Sequence, residues 1–488
     1  MDRPRSPAPT QPAAALAADG DAAVQIVSLY QAQKKIYPRS VTGRFVNWRW
    51  ALVWITQLAF YLTPWLMWND RQAVLFDLGT RRFYIGPLVL YPQDFIYLTA
   101  LLIISAYALF LFTAVAGRLW CGYACPQTVY TEMFMWVERK FEGDRAARML
   151  LDSSGWNLQR LWRTGGKHAA WMAMALWTGF SFVGYFTPIR TLGASVAGLG
   201  LGPWETFWVL FYSLATYGNA GFLREQVCKY MCPYARFQSA MLDKDTLIIT
   251  YDTERGEPRG SRSKKADPAQ LGLGSCIDCG LCVQVCPTGI DIRKGLQYEC
   301  IGCAACIDVC DDVMQKMNYA PGLVRYDTQN GLAQHLTRGE RLRRIFRPRV
   351  IVYSVVLVLI VAALGTSIAL RAPFKVDVVR DRAALARQVD DGEVENLYRL
   401  QIMNATERPQ QYRISADGLP GLRVVDARTV TVAPTEAHWV SVTLRVPPQT
   451  AAATPAGAHV VHFQIERAAQ GDDGGHTLRE KSTFVLPR

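Results

Sequence analysis

The chain has 488 residues, 50% of them hydrophobic, with a formal charge of +12 and twelve cysteines. That length leaves room for several domains, and the apolar share excludes an intrinsically disordered chain. Nucleic-acid binding is the weaker account of this charge, because Lys and Arg crowd against the ends of apolar stretches and form no stripe on one soluble unit, so no nucleic-acid partner is expected.

The chain opens with MDRPRSPAPTQPAAALAADGDAA, which is rich in Pro and Ala and broken by Asp. It lacks the apolar core of a secretory signal, so this opening is predicted to be disordered, within a cytoplasmic N-terminal tail over residues 1–46. Apolar stretches then recur at about 47–68, 93–116, 168–188, 204–223 and 350–370, each near the roughly 20 residues that a helix needs to cross a bilayer. Trp48, Trp50, Trp65 and Trp68 flank the first stretch, and Trp204 and Trp208 open the fourth, as amphipathic rings do at headgroup level. Four transmembrane helices are therefore expected within 47–223 and a fifth over 350–370, with membrane lipid as a partner. Only His168 lies near a span, so bis-histidine haem ligation lacks its second ligand.

Basic residues set the orientation. Lys34, Lys35, Arg39 and Arg44 precede the first span; Arg139, Lys140, Arg145, Arg148, Arg160, Arg163 and Lys167 fill the loop 117–167; Arg341, Arg343, Arg344, Arg347 and Arg349 precede the fifth span. The positive-inside rule puts all three segments in the cytoplasm, although Arg71, Arg81 and Arg82 in the first outer loop fit less cleanly. Five crossings then leave residues 224–349 cytoplasmic and 371–488 periplasmic. Cysteine usage agrees: none lies beyond Cys310, in the part of the chain that an oxidising compartment would cross-link.

Two matching motifs follow the second and fourth spans: Cys121-Gly-Tyr-Ala-Cys125-Pro126 and Cys228-Lys-Tyr-Met-Cys232-Pro233. The chain thus contains a repeat of helix, helix, C-x3-C-P at the cytoplasmic edge. A spacing of four on a helix predicts both sulfurs of a pair on one face, with the proline interrupting the ladder near the second thiol. Four thiols gathered at one edge form a soft site that favours Cu(I), with Met231 as an additional thioether. A further iron–sulfur cluster shared between the motifs, a dithiol relay and ordinary packing of small apolar side chains are the other readings of these residues.

A polar stretch over 254–274, ERGEPRGSRSKKADPAQLGLG, reads as a linker. Two runs of C-x2-C-x2-C-x3-C come next: Cys276, Cys279, Cys282, Cys286 and Cys300, Cys303, Cys306, Cys310. Three closely spaced thiolates grip one cubane and the fourth reaches the neighbouring one. The expected sets for two [4Fe-4S] clusters are therefore Cys276, Cys279, Cys282 and Cys310, and Cys300, Cys303, Cys306 and Cys286. Zinc takes four ligands and gives no reason for eight thiols in a doubled run. The second run ends in Cys310-Asp311 where Cys286 is followed by Pro287, which leaves the local turn open.

Beyond the fifth span, Tyr398-Arg-Leu-Gln-Ile402 and Val440-Ser-Val-Thr-Leu-Arg-Val446 alternate strictly, and Asp417-Gly418 and Pro420-Gly421 mark turns. An immunoglobulin-like β-sandwich without a disulfide is predicted over 371–488. The odd separation of His459 and His462 puts them on opposite faces of a strand, which argues against a metal pair. The expected architecture is multidomain: an α-helical polytopic membrane protein with a 2[4Fe-4S] ferredoxin-like α+β domain over 224–349 and a C-terminal sandwich.

The run REQVCKYMCPYARFQSAMLDKDTLIITYD, the RGEPRG that follows, the two ferredoxin motifs and the N-terminal KKIYPRSVTGRF together resemble the FixG/CcoG-type cytochrome c oxidase accessory proteins. The resemblance implies a bacterial inner-membrane cupric reductase that supplies Cu(I) for cbb3-type oxidase assembly. It also implies the oxidase assembly factors as partners, including a copper-transporting P-type ATPase, and maps the family's membrane-edge thiols onto Cys121, Cys125, Cys228 and Cys232. The electron donor would be an unidentified cytoplasmic one. A quinone-linked electron-transfer subunit and a non-catalytic assembly scaffold are the competing readings.

Overall fold

In a computed structural model, the described residues are 35–488 apart from 269, 382–385, 390–391, 427, 469–474 and 488. The chain divides into Met1–Ile36 and Tyr37–Arg488, and the architecture is that of the second unit. Most of the tail predicted over 1–46 lies outside the described residues. Its last part is not loose: Tyr37 donates to the Asp152 carboxylate at 2.6 Å, and the Arg39 N–H bonds the Gln284 carbonyl at 2.8 Å.

Helices form at all five apolar stretches: Arg44–Leu62, Phe95–Ala116, Leu158–Val183, Pro203–Gly218 and Pro348–Ala369. Two regions, Pro92–Ala116 and Pro348–Ala369, are long and apolar enough throughout to cross a membrane. The others depart from that standard for visible reasons. Arg44 and Arg49 lie in the first helix, and Arg160, Arg163 and Lys167 in the first half of the third. The fourth has 16 α-helical residues before it widens into a π-helical turn at Asn219–Leu223. The segment 117–167, expected as a loop, is largely helical, with helices at Leu119–Tyr123, Pro126–Glu142 and Arg145–Ser153.

The ferredoxin-like region centres on an antiparallel pair, Ile248–Tyr251 with Val324–Asp327, and the helices Leu281–Gln284 and Ala305–Lys316. Left-handed residues at Asp278 and Gly280 recur 24 positions later at Gly302 and Ala304. The two cysteine runs therefore share one backbone design, although Asp278 and Ala304 lack the freedom that glycine has at positive φ. With Asp311 in place of a proline, the second run continues as helix through Cys310 to Lys316. The stretch 254–274 is no free linker. Arg262 bonds the carbonyls of Gly260, Gly274 and Cys276 and so pins it against the first run.

The ferredoxin-like region also holds the start of the Arg44–Leu62 helix. The Asp308 carboxylate, between Cys306 and Cys310, accepts the N–H groups of Phe45 and Val46 at 3.2 and 2.9 Å. An anion there satisfies the orphan donors of a helix N-terminus.

The C-terminal domain is the predicted sandwich. One sheet runs in the order Arg423–Val424, Ala437–Val446, Val394–Asn404, Phe374–Arg380; the other runs Thr429–Val432, Gln410–Asp417, Gly457–Arg467, Thr477–Leu486. Tyr398, Phe374, Tyr412 and Phe463 fill the space between them, fully buried. His459 bonds the Pro455 carbonyl while His462 faces Asp417 across the strand pair, so the two do not converge. The segment between the first two long helices, whose arginines fitted the orientation less cleanly, folds into strands that pack on this domain through Leu75, Tyr84, Val89, Tyr91 and Met403. That explains its arginine: Arg71 pairs with Glu407 and lies 4.2 Å over the Tyr84 ring.

Candidate electron-transfer site

The eight ferredoxin-run cysteines sort into two cavities. Cys276, Cys279, Cys282 and Cys310 line the first together with Tyr251, Arg293 and a wall of Val309, Val313, Met314 and Leu323. Cys286, Cys300, Cys303 and Cys306 line the second, with Cys282 on its edge and Ile249, Ile290, Ile292 and Ile301 around them. The grouping crosses between the runs as their spacing predicts, with Cys310 swung to the first set and Cys286 to the second. Four thiols in an otherwise apolar cavity are the donor set that a [4Fe-4S] cluster takes, so the residues fit the group. Burial pushes Cys282 up to about 11 and Cys300 and Cys310 up to about 12; metal uptake must therefore release protons.

The C-x3-C-P thiols occupy a different kind of place. Their backbone corrects the expectation of two sulfurs on one helical face. Cys121 lies in the short Leu119–Tyr123 helix, but Cys125 is extended (φ −62°, ψ 127°) and Pro126 begins a new helix. Cys228 lies in a π-helical turn, Val227–Met231, while Cys232 is again extended (φ −79°, ψ 109°) ahead of Pro233. A residue before proline is driven out of the helical region, and proline is at home in the first helical turn. The proline thus starts a helix and turns the second thiol of each pair off the face of the first.

Both pairs nevertheless meet. A charge on Cys125, Cys121 or Cys232 would each raise the Cys228 thiol, which burial already pushes up to about 12, and Cys121 is raised by burial and by Cys125 to about 11. The repeats interlock around them. Gln238, from the helix after the second motif, accepts from the Cys121 thiol at 3.5 Å and donates to the Gly117 carbonyl at 3.2 Å. Arg118 bonds the carbonyls of Ala235 and Tyr298, and its charge favours the thiolates of Cys121, Cys228 and Cys300 alike. Met231, the thioether expected to assist, is largely exposed.

A buried ionic cluster braces the assembly. Arg148 and Arg224 reach the Glu138 carboxylate at 2.8 and 3.1 Å, and Lys167 reaches Glu142 at 2.7 Å. Burial opposes the Glu138 charge, but Arg224, Arg148 and Lys167 hold its carboxyl below the ordinary range. Gln127, two residues past Cys125, donates to the carbonyls of Asn219 and Arg224 at 2.9 and 3.1 Å, joining the first motif to the approach of the second.

The thiol cluster abuts the second cavity. Cys121 and Cys228 pack on the apolar group that contains Val285, Ile301, Cys303 and Val309. Gly122 is pressed so closely on that loop that a Cβ there would stand 2.8 Å from the Cys303 nitrogen and the Ile301 oxygen. On the other side, the Tyr326 hydroxyl donates to the Gly302 carbonyl at 2.6 Å and stands 3.4 Å from Tyr123. The tyrosine common to both motifs is used unequally, Tyr123 being buried and Tyr230 exposed. Sequence reasoning missed Arg118, Gln238 and Arg49, which is buried in an ion pair with Glu132 and favours the Cys303 thiolate. A signal existed for Arg49 in the lone charge inside an apolar stretch. Among the described residues, no three Cys, His, Asp or Glu side chains stand close enough to grip a single metal ion.

Known proteins carry the same parts. A family model described as a 4Fe-4S dicluster domain matches residues 223–329, one for a 4Fe-4S binding domain matches 98–143, and one for the Ig-like fold at the C-terminus of FixG matches 364–487. The nitrogen fixation protein FixG of Rhizobium meliloti (strain 1021) is 37% identical over 442 residues, 83% of this chain and 84% of its own. Protein RdxA of Cereibacter sphaeroides is 37% identical over 407 residues, 81% and 85% of the two chains. The ferredoxin-type protein NapH of Haemophilus influenzae is 28% identical over 199 residues, 38% of this chain and 66% of its own. A crystal structure of a FixG-related protein from Vibrio parahaemolyticus, 25% identical, covers 24% of this chain and 97% of its own at a TM-score of 0.20. With two four-cysteine cavities and relatives that match across most of its length, the chain belongs to the FixG family of iron–sulfur electron-transfer proteins.

Proposed function

We propose that the protein is an integral membrane cupric reductase, taking electrons through two cluster sites and delivering them to Cu(II) at Cys121, Cys125, Cys228 and Cys232. The observation that carries this reading is the contact of Gly122 with the Ile301–Cys303 backbone, which seats the thiol cluster against the second cavity. Cys276, Cys279, Cys282 and Cys310 would hold one [4Fe-4S] cluster and Cys286, Cys300, Cys303 and Cys306 the other, each carrying one electron at a time when bound. Cu(II) as substrate accepts one electron and becomes Cu(I), with no proton moved, and thiolates favour that product. Arg118 and Arg49 keep positive charge beside these thiols and so favour their ligating form.

The same reading has five membrane spans, with the cysteine sites cytoplasmic and residues 371–488 periplasmic. Exposed Trp54, Ile55, Leu58, Leu176, Trp177, Phe207, Leu210 and Leu214 on the three shorter or more charged helices support it. Cu(I) would pass to the assembly of a cbb3-type oxidase, with its copper-transporting P-type ATPase as a partner. A second reading is favoured by two observations: a 4Fe-4S binding-domain match spans Cys121 and Cys125, and among the described residues no three ligands converge on a single-ion site. Here the four membrane-edge thiols hold a third cluster.

One experiment separates them. Anaerobically purified protein should hold about eight iron atoms per chain if two clusters are bound and about twelve if three are. Chemically reduced wild type should produce Cu(I), followed with a Cu(I)-specific chelator, while the Cys121, Cys125, Cys228, Cys232 quadruple serine variant keeps its iron and loses this activity, since hydroxyls are poor ligands for soft Cu(I). Equal Cu(I) formation by both would defeat the copper-site reading.

A further inference from the structure

The geometry points to the Cys276–Cys310 cavity as the place where electrons come in, and to the basic surface at its mouth as the docking site of an acidic, soluble, one-electron carrier protein. This inference rests on the iron–sulfur reading of that cavity and is independent of what the membrane-edge thiols bind. The two cavities differ in what surrounds them. The second is walled off by the Cys121 and Cys228 motifs. The first opens outward: of the twelve cysteines, Cys279 alone is exposed. A carrier must bring its redox centre close to a thiol that solvent can reach, and Cys279 is the candidate.

Charge identifies the partner. Between Arg255 and Tyr298 the chain carries seven basic residues and four acidic ones. The acidic residue beside the opening, Asp278, is already engaged by Arg293 and lies 3.9 Å from Arg259. Lys264, Lys265 and Lys294 are exposed and have no ion pair among the described residues. Their position is fixed by the fold. Arg262 bonds the Cys276 carbonyl at 3.3 Å and the Gly274 carbonyl at 2.6 Å, which ties the segment carrying Lys264 and Lys265 to the first cysteine run. Lys294 follows Arg293, which itself lines the cavity. Leu271 and Leu296, about half exposed, lie six and two positions along the chain from Lys265 and Lys294. Exposed apolar side chains in a charged segment suit a transient interface, and unpaired charge of one sign steers a partner of the other.

In the transfer, one electron leaves the carrier, which is oxidised by one unit, and one electron is taken up at the cysteine-lined cavity. No bond forms or breaks and no proton moves. The test uses the full chain in detergent without copper, with hydroquinone flavodoxin, an acidic protein, as the probe. Bleaching of iron–sulfur absorbance should be fast at low salt and fall steeply as ionic strength rises. The triple variant K264E/K265E/K294E should slow it about tenfold or more, with unchanged iron content and weaker binding of oxidised flavodoxin by calorimetry. R338E/R343E alters exposed arginines elsewhere in the chain and should slow it far less. Rates indifferent to salt, or equal slowing by the two variants, would overturn the docking site. Salt-sensitive flavodoxin binding without bleaching of iron-replete protein would overturn the electron route alone, whereas protein without iron in this cavity would overturn the iron–sulfur reading beneath it.

Discussion

Cys276 through Cys310 lie within 35 consecutive residues, and one stretch of chain folds back on itself to make both ferredoxin cavities. The C-x3-C-P thiols come from Cys121 to Cys232, 111 positions apart, and meet only because two repeats dock. In the first region the local backbone does most of the placing: left-handed residues at Asp278, Gly280, Gly302 and Ala304 shape each loop within a few positions of its cysteines. In the second, placement depends on long-range braces, the Gln238 and Arg118 hydrogen bonds and the buried Glu138 cluster. The two sites should therefore fail in different ways: the cavities by loss of a ligand, the thiol cluster by loss of a brace.

The largest expected effect tests the cavities. Cys300→Ser should remove about four irons per chain and leave the remainder, because its partners are Cys286, Cys303 and Cys306. Cys276→Ser should do the same to the other set. Iron and sulfide analysis with spectroscopy of the reduced protein reads both. Loss of all iron from either variant would show that the cavities are not separable units.

A smaller effect is expected from a residue that touches no thiol. Glu138 is buried among Arg148, Arg224 and Lys167, and Glu138→Gln leaves Arg148 and Arg224 without their countercharge while Lys167 keeps Glu142. Removing one partner of a buried ion cluster costs about 3–5 kcal/mol. Thermal unfolding in detergent should fall accordingly, and the chain's Cu(I) affinity should weaken more than its iron content. Equal losses at the two sites would erase the distinction between local and long-range construction.

What could be read in advance follows the same division. The cysteine runs, the alternating strands around Tyr398 and Val442 and the repeat of C-x3-C-P depend on short-range pattern, and the sequence displays them directly. The backbone of the repeat was misjudged because i, i+4 spacing suggests a continuous helix, whereas Pro126 and Pro233 force the preceding cysteine into an extended conformation. The stretch 254–274 looked like a linker because its composition is polar, yet Arg262 spends its donors on carbonyls of the ferredoxin-like region. Arg49 and Arg118 were hidden in a different way. Absent from the basic clusters that set the orientation, they are buried groups whose partners, Glu132 and the Ala235 carbonyl, lie 83 and 117 positions away.

The smallest expected change probes the seam where the two constructions meet. Gly122 has no room for a side chain: a Cβ would sit 2.8 Å from both the Cys303 nitrogen and the Gly302 carbonyl carbon, which belong to backbone and cannot rotate aside. Gly122→Ala must therefore part the first motif from the second cavity by a fraction of an ångström to an ångström. Overpacking of this kind costs about 1–3 kcal/mol, less than the loss of Glu138, and no ligand is removed. Iron content and Cu(I) affinity should stay near wild type while electron delivery from the reduced cavities to the membrane-edge thiols slows, read as the lag between bleaching and Cu(I) appearance under single turnover. The larger Gly122→Val should lengthen that lag further. An unchanged lag in both variants would mean that electrons leave the second cavity by another face, and Tyr123, hydrogen-bonded through Tyr326 to the Gly302 carbonyl, would be the next residue to alter.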